Sequence, residues 1–120
     1  MDLSPSAIRT KRVYDPPHPE DGFRVLVDRL WPRGLTKQDA AIDLWLKEIA
    51  PSAELRHRYH HQPELWDEFR LRYREELRQR PDLVEMLRQR AREQPVTLLY
   101  AARDVLRNNA VALAEALAEE

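Results

Sequence analysis

Cysteine is absent from the chain, which excludes a disulfide frame, a thiol nucleophile and a thiolate metal site. Glycine occurs only at Gly22 and Gly34. Gly-rich phosphate loops of the Walker or dinucleotide-binding type need more, so both are ruled out. No run of about 18 apolar residues exists, so no segment reads as a membrane span. The opening stretch, Met1 to Arg12, has no apolar centre and does not read as a secretory signal. Net charge is −1, from 20 Lys and Arg against 21 Asp and Glu. The overall basic excess of a dedicated nucleic-acid coat is therefore missing. The cytoplasm is the expected compartment.

What is present is 120 residues, 42% hydrophobic and 34% charged, which suits one small globular domain. Residues 1–7 read as a flexible N-terminus and 8–120 as a single α/β domain. Of the 20 basic residues, 17 are Arg and 3 are Lys.

Proline marks most boundaries. Ile8 to Tyr14 alternates and reads as a half-exposed strand. Residues 15–22 are turn-rich. Phe23 to Trp31 is apolar on both parities, the mark of a strand covered on both faces. Thr36 and Asp39 resemble a weak capping box. Ile42 to Ile49 fits period 2 and period 3.6, with a lean towards strand. Ser52 is an N-cap candidate for a short helix to about Tyr59. Pro63 suits a helix start, and Trp66, Phe69, Tyr73 and Leu77 form an apolar stripe. A second helix from Asp82 to about Glu93 turns Leu83, Val84, Leu87 and Ala91 inward. Residues 64–93 hold eight acids and eight Arg, which reads as an ion-paired outer surface. Val96 to Ala102 is the candidate central strand. Ala110, Leu113, Ala114 and Leu117 form a last helical stripe, capped by Asn108 or Asp104. The order predicts a small mixed sheet of three to four strands, partly parallel, with helices packed on it.

Two strand ends carry the candidate chemistry. If the chain stays extended after Val27, Arg29, Trp31 and Arg33 share one face. Arg is rarely buried without a partner. Either internal carboxylates satisfy these guanidiniums or an external anion does, and their planar fork suits phosphate, sulfate or carboxylate. At the other end, Tyr100 and Arg103 flank the small Ala101 and Ala102. Ligands in open α/β sheets lie beyond the carboxyl ends of strands. If the two strands are parallel neighbours, Arg29, Arg33, Tyr100 and Arg103 converge on an anion pocket. Lys47, among apolar residues, and Asp104 are the candidate general bases, each with a bland alternative as exposed lysine and helix cap. His57 and His61 are spaced i, i+4, but the supporting glutamate pattern and a third ligand are missing. No metal site and no cofactor are expected.

The motifs Asp28-Arg29-Leu30-Trp31-Pro32-Arg33-Gly34, Ile42 to Ser52, His61 to Trp66 with Phe69, Arg72 and Tyr73, and Leu98 to Asp104 occur in that order. Together they resemble the YeaO-like branch of the domain-of-unknown-function 488 family, over about residues 8–117. The resemblance implies a compact cytoplasmic bacterial or archaeal α/β domain. It also implies that Arg29, Trp31, Arg33, Lys47, Tyr100, Arg103, Asp104 and Asn108 match recurring polar and aromatic positions of that family. After Asp104 the chain departs from the pattern: Val105, Leu106 and Arg107 stand where acidic residues and a histidine are expected.

Three functions compete. The first is binding, or turnover, of a small anionic ligand such as a nucleotide, phosphate ester or carboxylate at Arg29, Trp31, Arg33, Tyr100, Arg103 and Asn108. In turnover, the arginines would stabilise developing negative charge. The second is a protein-interaction or regulatory module, resting on Arg-rich helices and on Trp45 and Trp66 if exposed. A homodimer stays open. The third is nucleic-acid binding through residues 9–33, which hold six basic and four acidic residues, a small tilt that makes it the weakest reading.

Overall fold

The computed structural model describes residues 8–59 and 62–119. Four strands form one sheet: β1 (Ile8–Arg12), β2 (Phe23–Leu26), β3 (Leu44–Trp45) and β4 (Val96–Tyr100). Their order is β1-β4-β2-β3, so the last strand inserts between the first two. All three pairings are parallel, with Ile8 against Val96, Phe23 against Val96 and Val25 against Leu44. Among the described residues the α-helices are α1 (Lys37–Ala40), α2 (Ala53–Tyr59), α3 (Trp66–Arg78), α4 (Pro81–Glu93) and α5 (Asn109–Ala118). The α/β sheet with helices packed on it, read from the sequence, is the observed architecture.

The two parities of the central strands feed two cores, as a period of 2 requires. Val25, Val27, Val96, Leu98 and Tyr100 join the main core beneath the large helices. Leu26 and Leu99 point to the opposite face and pack with Val13 and Ala40 under Trp31, Leu35 and Trp45. All five residues of β4 are buried, which explains its continuous apolar run. Gly22 turns the chain into β2 with φ of 65°, and a Cβ there would lie 2.2 Å from the Pro95 carbonyl oxygen. Only glycine fits that approach.

The caps follow the sequence closely. Ser52 Oγ accepts from Leu55 N at 3.1 Å, Thr36 Oγ1 from Asp39 N at 3.0 Å and Asn108 Oδ1 from Val111 N at 2.9 Å. Pro63 opens a 3-10 turn that runs into α3. Helix α3 then clamps the segment after β3. Tyr73, fully buried, donates its hydroxyl to Ile49 O at 2.6 Å, and Glu76 accepts from Ser52 N at 2.8 Å.

Two expectations change. The strand expected over 23–31 stops at Leu26, with Val27 N still donating to Leu99 O at 3.1 Å. Beyond it the Asp28 carboxylate and carbonyl take donors from Ala101 and Trp45, which pulls the chain out of the sheet. Arg29, Trp31 and Arg33 therefore do not share one face of an extended strand. Residues 42–49 divide: Leu44–Trp45 pair with β2, and Lys47–Ile49 form a 3-10 turn. The suggested His57–His61 pairing lies partly outside the described residues, and His57 is exposed on α2.

Candidate functional site

Because β2 and β4 are parallel neighbours, the loops that leave their carboxyl ends rise side by side. Between them opens a cleft of about 720 Å³. One wall is the 28–33 loop, and another is the 101–109 loop. Arg56 and Tyr59 of α2, with Trp66 and Phe69 of α3, close the side.

Asp28 and Arg29 are sequence neighbours held by different partners. Asp28 Oδ2 accepts from Ala101 N at 2.9 Å, and Oδ1 accepts from Asn109 Nδ2 at 2.9 Å. Burial pushes the Asp28 carboxyl above its ordinary pKa; the Asn109 and Ala101 hydrogen bonds and the Arg56 charge pull partly back. Arg29 turns the other way. Its guanidinium reaches Ala50 O and Pro51 O, both at 3.4 Å, the long limit of a hydrogen bond. Arg29 Nε is buried with no hydrogen-bond partner among the described residues, and so is the Tyr59 hydroxyl.

Among the described residues, no carboxylate lies within 4.0 Å of Arg29, Arg33, Arg56 or Arg103. The internal Arg–carboxylate network that could have explained these guanidiniums is found elsewhere. Asp21 takes Lys11 and the buried Arg24 on the far side of the sheet. Burial would raise the Asp21 pKa, but the His18 N–H, Lys11 and Arg24 hold it below the ordinary value. A second hollow of about 420 Å³ lies beside that cluster; its Lys11 and Asp21 are paired with each other, and the exposed Arg9 and Glu20 also line it.

Six of the eight sequence candidates, Arg29, Trp31, Arg33, Arg103, Asp104 and Asn108, line the cleft. Trp31 braces it: its Nε1 donates to Leu35 O at 2.7 Å, and its ring meets Trp45 edge-on at 5.5 Å. Asp104 Oδ1 accepts from Leu106 N and Arg107 N at 2.9 and 3.0 Å, bonds that lower its pKa and shape its own loop. Asn108 caps α5 and donates to Asp104 O at 2.9 Å. Lys47 and Tyr100 do not line the cleft. Lys47 is exposed, with Nζ 5.0 Å from the centre of the Trp45 ring. Tyr100 is 2% exposed and lies in the main core, where burial raises its hydroxyl pKa against the pull of Arg12 and Asn108.

Sequence reasoning missed Arg56, Tyr59, Trp66, Phe69 and Asn109 as lining residues. Trp66 and Phe69 read as core, and they do stack on each other at 5.7 Å, but they also form the apolar wall of the cleft. Trp45 and Trp66 are both half-buried, so neither offers the exposed indole that the interaction reading needed.

A family model described as the inactive DUF488-N3 subclade matches residues 7–120. The uncharacterized protein YeaO of Escherichia coli strain K12 is 48% identical over 108 residues, which covers 90% of this chain and 94% of that one. The uncharacterized protein Rv3073c of Mycobacterium tuberculosis is 49% identical over 110 residues, 92% of each chain. No solved structure matches.

Proposed function

The chain belongs to the DUF488 family, in the subclade described as inactive DUF488-N3, and from that premise we propose that it binds a small anionic molecule in the cleft without converting it. The observation that carries this reading is the pair of buried polar atoms in the cleft wall that have no partner among the described residues, Arg29 Nε and the Tyr59 hydroxyl. A buried polar group left unbonded costs about 1–3 kcal/mol. An anionic oxygen accepting from these groups would remove that cost. Arg33, Arg56 and Arg103 add positive charge, and none of them has a carboxylate within 4.0 Å among the described residues.

The size of the cleft, about 720 Å³, suits a ligand larger than a bare phosphate, such as a nucleotide, phosphate ester or aromatic carboxylate. Binding without turnover is supported by the two candidate bases. Lys47 is outside the cleft, and Asp104 is engaged by its own loop. The test is a thermal-shift series with AMP, purine riboside 5′-phosphate, phenylalanine and 3-phenylpropionate. At least one should raise the midpoint of the wild type, since a ligand of the folded state stabilises it by mass action. Arg29→Met should abolish the shift and Tyr59→Phe should reduce it. No shift with any of the four, or an undiminished shift in Arg29→Met, would overturn the reading.

A protein partner is the second reading. It is favoured by Leu30 and Leu106, 66% and 69% exposed on the two loops beside the cleft. Size-exclusion chromatography of the wild type against Leu30→Ser and Leu106→Ser would detect self-association through them.

A further inference from the structure

Two groups of opposite charge, Asp28 and Arg29, line the cleft without an ion-pair partner within 4.0 Å among the described residues, although the Arg56 charge acts on Asp28 from further away. Asp28 has no cation within 4.0 Å among the described residues, although it is half-buried. Its adjacent residue Arg29 could have neutralised it and does not. The two are drawn apart by separate anchors: Asp28 by Ala101 N and Asn109 Nδ2, Arg29 by the Ala50 and Pro51 carbonyls. Each Asp28 oxygen accepts one hydrogen bond from the protein, and a carboxylate oxygen can accept two.

Asn109 extends this acceptor surface. Its amide nitrogen donates to Val27 O at 3.0 Å and to Asp28 Oδ1 at 2.9 Å. Both amide hydrogens are used, so the group it keeps for a ligand is its side-chain oxygen. A plain anion would be repelled by Asp28 and would leave these acceptors unused. A cation would meet Arg29.

We infer that the ligand carries both an anionic group and an amino or ammonium group, the first held by Arg29 and the second by Asp28 with Asn109. The stacked Trp66 and Phe69 would then take its apolar or aromatic body. This inference rests on the anion-binding reading and narrows its ligand class. Two sources supply the same chemistry: an amino acid with an aromatic side chain, and a nucleotide with an exocyclic amino group.

The test is isothermal titration with two matched pairs that differ by the nitrogen group alone. One is phenylalanine against 3-phenylpropionate; the other is AMP against purine riboside 5′-phosphate. A charge-assisted hydrogen bond predicts that the amino-bearing member of one pair binds about 10- to 100-fold more tightly. Which pair responds identifies the source. Asp28→Asn should abolish the preference while the deaminated member binds at least as well as before, since a repelling charge is gone. Equal binding within both pairs would overturn this inference and leave anion binding standing. Absence of binding by all four would overturn both. If Asp28→Asn fails to fold, the wild-type preference alone decides.

Discussion

Replacing Arg29 by Met should make the folded protein more stable while removing the anion binding proposed for the cleft. Met keeps the apolar stem that packs against the cleft wall and deletes the guanidinium. The deletion removes a buried Nε that has no partner, a group whose desolvation costs about 1–3 kcal/mol. Against this stand two hydrogen bonds at 3.4 Å, worth about 0.5 kcal/mol each at most. Ala50 O is not orphaned, because Arg80 still donates to it at 3.1 Å, and Pro51 O loses only a bond at the long limit of the range. The Asn109 and Ala101 hydrogen bonds and then the Arg56 charge, rather than Arg29, favour the ionised form of Asp28, so its ionisation loses little. The balance is a gain of about 1 kcal/mol, or about 3–6 °C in Tm for a domain of this size. Urea unfolding reads it as a higher midpoint with an unchanged slope. A loss of about 1 kcal/mol or more would refute the reasoning. Arg29 would then be an internal brace for residues 50–51, and the cleft would lose its principal anion-binding group.

Two further outcomes follow from the same contacts. Tyr73→Phe leaves the buried Ile49 carbonyl without its 2.6 Å donor and should cost about 1–3 kcal/mol in denaturant unfolding. The effect should extend to the cleft, because that bond ties residues 49–51 to α3. Asp21 has a lowered folded pKa, held there against burial by His18 N, Lys11 and Arg24. Its stabilisation is therefore full above the ordinary carboxylate range and is lost as pH falls through the folded value. Asp21→Asn should remove that part of the acid sensitivity. At neutral pH it strands Arg24, whose side chain is 6% exposed, at a cost of about 3–5 kcal/mol. A stability–pH curve parallel to that of the wild type would show that Asp21 is not the group responsible.

Much of the fold is legible in short spacings. Ser52, Asn108 and Thr36 cap helices that begin one residue later. The stripes of α3, α4 and α5 bury Tyr73, Leu77, Leu87, Ala91, Leu113 and Leu117 as read. The continuous run Val96 to Tyr100 is the buried strand between β1 and β2. Such signals work because a cap or an apolar stripe depends on residues at most a turn or two apart. The cleft was legible only in part. Arg29, Arg33 and Arg103 were visible as arginines at strand ends. Their partnering was not, since any of 21 acidic side chains could have paired with them.

The sequence by itself determined the class of the fold, the apolar stripes of the large helices and the central strand, because each follows from local periodicity and capping chemistry. Tertiary structure alone decided the site. The order β1-β4-β2-β3 places Ala101 beside Asp28, 73 positions earlier. The resulting hydrogen bond holds Asp28 at the end of β2, and among the described residues neither Asp28 nor Arg29 has an ion-pair partner within 4.0 Å. It also brings Arg56 and Tyr59 from α2 to the same opening. These contacts join segments far apart in the chain. Their formation depends on which faces the whole sheet buries, and no local spacing encodes that.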